Sequence, residues 1–145
     1  MWWLASYLAL VINLFIIWLM PKRLTKKEIY VTWFVIALIN LSTDVLLSLD
    51  FRLYELAEPG VQLSVHVIEL TLGPSYGIIY LNFMPEQNRK FYPYIAAWVA
   101  YAVIFEFIMV QVDFVNYSGW KLWYSAIYYV FAYLFLRWHL YYIRK

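Results

Sequence analysis

Four side chains that can carry charge lie inside otherwise apolar stretches of this sequence: Asp44, His66, Glu69 and Glu106. An ionisable group inside a bilayer is costly unless it is paired or wetted, so such residues are rare and point to a site. Three carboxyls and one imidazole suit a proton or a cation far better than an anion. The same set could hold a hard or borderline divalent ion, which would open metal-dependent chemistry. The spacing argues against a familiar hydrolase, because His66 and Glu69 form only an HxxE pair. There is no HExxH, no second histidine nearby and no GxSxG. His139 is expected at the opposite membrane interface, and Ser64, Thr71 and Ser75 on the far side of their helix from His66. The absence of cysteine removes disulfides, thiolate ligands and a cysteine nucleophile. No motif indicates a particular cofactor or metal.

The four groups are expected at a common depth. At about 1.5 Å rise per residue, Asp44 lies roughly 7 Å below the outer end of its span. His66 and Glu69 lie roughly 7 and 12 Å below theirs, and Glu106 roughly 10 Å below its own. Each group also belongs to a stripe at helical spacing. His66, Glu69, Gly73, Tyr76, Gly77 and Tyr80 form one. Asn40, Thr43, Asp44 and Ser48 form the second, and Ala102, Glu106, Met109 and Asp113 the third. These faces avoid lipid if they meet. Gly73 and Gly77 make a small-xxx-small pair that admits a close neighbour. Pro74 deprives the Leu70 carbonyl of its helical donor, one residue from Glu69. Asn40 and Tyr76 are the neutral partners expected beside the ionisable set.

The elements that must carry these stripes are membrane helices. The 145-residue chain is 66% hydrophobic, 23% aromatic and only 14% charged, against about 45–50% apolar and 25% charged in soluble domains. One core could not hide that much apolar surface. Spans of about the length needed for a bilayer fall at 2–20, 29–49, 61–83, 92–112 and 120–142. The breaks PKRLTKKE, DFRLYELAEPG, MPEQNRKF and DFVNYSG are short and polar, and LYELAE is expected to form a short interfacial helical turn. No repeat or linker divides the chain, so residues 1–145 are read as a single transmembrane domain. The fold class is all-α, a bundle of five transmembrane helices. The N-terminus lacks a basic region and a small-x-small cleavage site, so the first segment is expected to stay in the mature protein.

Nine of the eleven lysines and arginines share one side if the N-terminus is outside and the C-terminus inside. Only Arg52 and Lys121 fall outside. Aromatic belts agree with this frame: Trp2, Trp3, Tyr54, Tyr117, Trp120 and Trp123 at the outer interface, Trp18, Tyr30, Trp98 and Trp138 among those at the inner one. The basic loop PKRLTKKE sets topology and could contact anionic headgroups. A net charge of +2 gives no reason for a nucleic-acid partner.

The order of several short pieces resembles a family of small, functionally unassigned multi-spanning membrane proteins of Bacillus- and Clostridium-like bacteria. The pieces are LSTDVLLSLDF, the GP and LNFMPE of the third span, YPYIAAW, the embedded Glu106 and GWKLWYS, running from about Asp44 to Ser125. The resemblance implies a bacterial plasma membrane or a spore membrane. It brings no established activity and no catalytic residue.

Three functions fit the pattern. One is a non-enzymatic membrane component with a polar site in the outer half of the bilayer, formed by Asp44, His66, Glu69, Glu106, Asn40 and Tyr76. That site would bind or pass a proton, a cation or a small polar ligand, as interrupted helices do in transporters. Five spans without an inverted repeat make a poor solitary transporter, so a homo-oligomer or a larger membrane complex is the easier setting. The second is a structural or assembly subunit whose buried polar groups only tie helices together. The third is a metal-dependent intramembrane enzyme.

Overall fold

A computed structural model describes residues 2–44, 46, 54–56, 63–111, 115–117 and 120–144. Five helices appear where the apolar stretches predict them: α1 (Trp2–Leu19), α2 (Lys26–Asp44), α3 (Leu63–Phe83), α4 (Asn88–Gln111) and α5 (Leu122–Ile143). Local chemistry sets their ends. The chain leaves α1 before Pro21, whose predecessor is biased away from helix. The Lys22 ammonium donates to the Trp18 carbonyl there, at 3.3 Å. Thr25 and Glu28 form a reciprocal capping box at the start of α2. The Glu28 amide donates to the Thr25 hydroxyl at 3.1 Å, and the Thr25 amide donates to the Glu28 carboxylate at 3.3 Å.

One departure from the helical expectation concerns the α2–α3 and α4–α5 loops. Tyr54–Leu56 is strand β1, not a turn of helix, and it pairs antiparallel with β2, Val115–Tyr117. The partner lies in another loop, far along the chain, so the LYELAE segment alone carried no sign of it. Backbone groups in such a loop need partners, and the ribbon supplies them mutually. The ribbon joins the α2–α3 connection to the α4–α5 connection.

Helix α3 lies at the centre, packed against α1, α2 and α5, while α4 packs on α5 and α1. From Leu72 to Asn82 nearly every α3 side chain is buried. A helix with apolar residues on all sides belongs in such a position. Pro74 does not end it: α3 runs through to Phe83. Proline inside a helix is tolerated where neighbouring protein covers the break. Here the Asn13 amide of α1 donates to the Ser75 hydroxyl at 3.0 Å, beside the proline.

The close approach expected at the α3 glycines is present. A Cβ on Gly73 would stand 1.9 Å from the Asn40 amide nitrogen, and one on Gly77 would stand 2.2 Å from Ile36 Cδ1. Both neighbours belong to α2, so this helix pair meets through the two glycines.

Outside the core the surface is apolar. Trp18 is 72% exposed, Phe131 67% and Leu38 66%, on three different helices. Among the described residues, Asn88–Gln111 is the one helix both long and apolar enough to cross a membrane, and Leu4–Leu19 is apolar but shorter. Polar groups stand near the ends of two of the others: Lys26, Lys27 and Glu28 open α2, and Asn82 precedes the last residue of α3. Five crossings therefore do not follow from helix length and composition alone.

The two ends of the bundle differ. At the ribbon end the described loops contain one cation, Lys121. At the other end the Asn82 carboxamide joins α3 to the α1–α2 connection. Its oxygen accepts from the Arg23 amide at 2.7 Å, and its nitrogen donates to the Pro21 carbonyl at 3.0 Å. Arg144, just past α5, grips Glu28 at 3.0 and 3.1 Å. That hydrogen bond raises the Arg144 pKa. The described basic residues other than Lys121 gather at this end or lead into it, as the charge distribution predicts.

Candidate functional site

Glu106 is the predicted site residue whose surroundings are best defined. It stands on α4 near the ribbon end and faces α5. The Tyr117 hydroxyl of β2 donates to one carboxyl oxygen at 2.5 Å. The Ser125 hydroxyl of α5 donates to the same oxygen. The Tyr129 hydroxyl, one turn further along α5, donates to the other oxygen at 2.8 Å. Behind Ser125, the Trp120 indole N–H donates to its Oγ at 2.7 Å. The carboxyl is thus an acceptor for three O–H groups, and the serine hydroxyl is both donor and acceptor. Partial burial and the neighbouring carboxyl together push the Tyr117 pKa above its usual range, burial contributing most.

The local order follows from helical spacing. Ser125 and Tyr129 are four residues apart and share a face of α5. Tyr117 reaches the same carboxyl because β2 is held by β1 beside the start of α5. The chemistry is that of a tie: one acidic side chain gathers α4, the ribbon and α5 through neutral donors.

Other members of the predicted set are distributed differently. Tyr76 pairs hydroxyl to hydroxyl with Tyr101 of α4 at 2.9 Å and packs edge-on to Tyr101, Phe105 and Trp98. Asn40 lies against Gly73 at the α2–α3 contact. The α4 stripe divides: Met109 is buried with Leu10, Ile68 and Leu72, while Glu106 turns toward α5. The positions of Asp44, His66 and Glu69 fall on α2 and α3, and their side chains lie outside the described residues. Among the described residues, no three acidic or histidine side chains gather closely enough to hold a metal ion.

Several polar contacts were not legible in the sequence. Tyr117 and Trp120 read as interface anchors, yet both belong to the Glu106 network. His139, read only as interfacial, is buried near the end of α5, 3.3 Å from the Thr32 hydroxyl of α2 and stacked on Phe135. Asn13 and Ser6 are buried on α1, a helix with no ionisable group except tyrosine. A small polar residue in an apolar helix was the available signal for both. Their spacing of seven residues places them on one face.

No protein-family model, no curated protein and no solved structure matches this chain.

Proposed function

We propose that the chain is a non-enzymatic membrane component, a five-helix multi-pass bundle whose buried polar groups serve chiefly to tie its helices together. The observation that carries the structural role is Glu106. Its carboxyl oxygens are engaged by Tyr117, Ser125 and Tyr129 of the same chain. Interhelical hydrogen bonds of this kind contribute roughly 0.6–2 kcal/mol each in membranes. Asn40 and Tyr76 serve other helix contacts, so the described polar groups are dispersed over separate interfaces.

Support for the membrane setting comes from the outward faces. Leu8, Ile12, Phe15, Phe107, Phe131 and Trp138 point away from the core on α1, α4 and α5. Extended apolar surface of this sort marks a lipid or protein partner. The basic end then lies on the cytoplasmic side, with the N-terminus outside, in a bacterial plasma membrane or spore membrane. The chain has no cysteine, so a single cysteine introduced at Lys26 reports its side of the membrane. An impermeant maleimide added to intact cells leaves that cysteine unlabelled if the orientation is right; labelling overturns it. For the tie itself, Glu106→Gln lowers stability in detergent without altering proton or cation binding. Loss of such binding with stability unchanged would replace the tie by a ligand site.

A second reading, binding or passage of a proton or cation, has one specific support. Asn40 meets Gly73 where α2 and α3 touch. Asp44 and Glu69 are each four residues toward the ribbon end, about one helical turn away. Proton-dependent binding that survives both Asp44→Asn and Glu69→Gln in reconstituted protein would remove this reading.

A further inference from the structure

At the basic end of the bundle a cleft of about 140 Å³ opens between the α1–α2 connection, the end of α3 and the end of α5. Its apolar walls are Leu81, Met84 and Leu140, and its polar lining includes Arg23, Arg144 and Glu86. Two features set this cleft apart from a generally basic surface. Arg144 is locked in place by its two bonds to Glu28, and it also donates to the Arg23 carbonyl at 3.4 Å. The backbone of Arg23 is held by Asn82 at 2.7 Å. The Arg144 side chain and the Arg23 backbone are therefore both braced. Their charges are not equally committed. Among the described residues the single ion pair is Arg144–Glu28, so Arg23 brings a cation to the cleft without a paired carboxylate.

The surroundings reinforce the sign. Lys22 and Lys26 flank Arg23 in sequence, and Arg89, Lys90 and Arg137 belong to the same end of the bundle. Against them stand Glu28, already paired, and Glu86 in the cleft itself. An arginine fork suits a phosphate better than a point charge would, because it can donate two parallel N–H bonds. The apolar walls suit a group attached to hydrocarbon.

We propose that this cleft binds the phosphate of an anionic phospholipid in the cytoplasmic leaflet, with Arg23 as the principal contact, Arg144 as a braced second donor and Glu86 as an opposing charge. The proposal rests on the membrane reading above. It goes beyond that reading in naming a lipid class and a site.

The test uses the full chain in uncharged detergent. Phosphatidylglycerol, phosphatidylcholine or inorganic phosphate is titrated in turn, and apparent affinity is read from thermal stabilisation. Phosphatidylglycerol should bind in preference to phosphatidylcholine. Arg23→Gln should weaken it about five-fold, the effect of one cation at an anionic surface. Glu86→Gln should strengthen it. Lys27→Gln and Lys90→Gln remove the same unit of charge outside the cleft and should change affinity by less than two-fold.

Equal weakening by Lys27→Gln and Arg23→Gln would show a diffuse surface and overturn the cleft. No gain from Glu86→Gln would overturn its place in the site. Stabilisation by inorganic phosphate equal to that by phosphatidylglycerol would overturn the lipid source. Should Arg23→Gln fail to fold, Glu86→Gln and the two lysine controls still decide the matter. Failure of the membrane reading looks different: the chain would then stay monodisperse in buffer without detergent.

Discussion

Glu106 and Glu28 occupy opposite ends of the same bundle and are satisfied in opposite ways. Glu28 is held by a charged guanidinium and by the backbone amide of its own capping box. Glu106 is held by three neutral hydroxyls from two other elements. The Glu28 side chain is 13% exposed and its Arg144 partner 37% exposed, so water reaches the pair. There an ion pair costs little to form and contributes little. Glu106 sits among helices, where an unpaired cation would be costly to desolvate and hydroxyl donors are the cheaper match. The comparison teaches that the same residue type is a surface clamp at one end and an internal junction at the other.

The largest expected effect breaks the junction. Glu106→Ala leaves three hydroxyls without their acceptor, and we expect a loss of about 2–4 kcal/mol in detergent unfolding. If it costs no more than Arg144→Ala, the two ends are equivalent and the contrast fails. Next in size is Gly73→Val, which drives a branched side chain into Asn40. Overpacking of that kind costs about 1–3 kcal/mol. Reversible unfolding of the variant at the wild-type midpoint would show that α2 and α3 have room to separate. Thr32→Val removes the hydroxyl facing His139 and should cost about 1 kcal/mol; an unchanged midpoint would reduce that contact to mere proximity. The smallest effect belongs to the clamp. Arg144→Ala should cost less than about 1 kcal/mol, and the loss should shrink between low and high salt as exposed charges are screened. A salt-independent loss would place Arg144 in the same class as Glu106.

What could be read in advance depended on the range of the interaction. The helix positions, the gathering of cations at one end and the narrow face at Gly73 and Gly77 follow from periodicity and composition along one segment. The partners of Glu106 do not. Nothing in α4 tells which neighbour its carboxyl meets, and Tyr117 and Trp120 carry the composition of interface anchors whether or not they bond inward. The β1–β2 ribbon pairs two loops separated by α3 and α4, so neither loop shows it alone. His139 belongs to a polar pair whose other half, Thr32, is a commonplace residue in an apolar helix.

The amino-acid sequence by itself determined an excess of apolar surface, five helical segments, and the gathering of nine of the eleven lysines and arginines at one end. Each is a property of residues along a helix, governed by hydropathy, helical period and chain-breaking residues. Only the tertiary structure decided that α3 is central, that Gly73 receives Asn40, and that Glu106 joins α4 to α5 and the ribbon. Those outcomes depend on which faces meet across space. A helical stripe specifies that a face must be covered, while the choice of cover is made by packing and by which donors are within hydrogen-bonding reach.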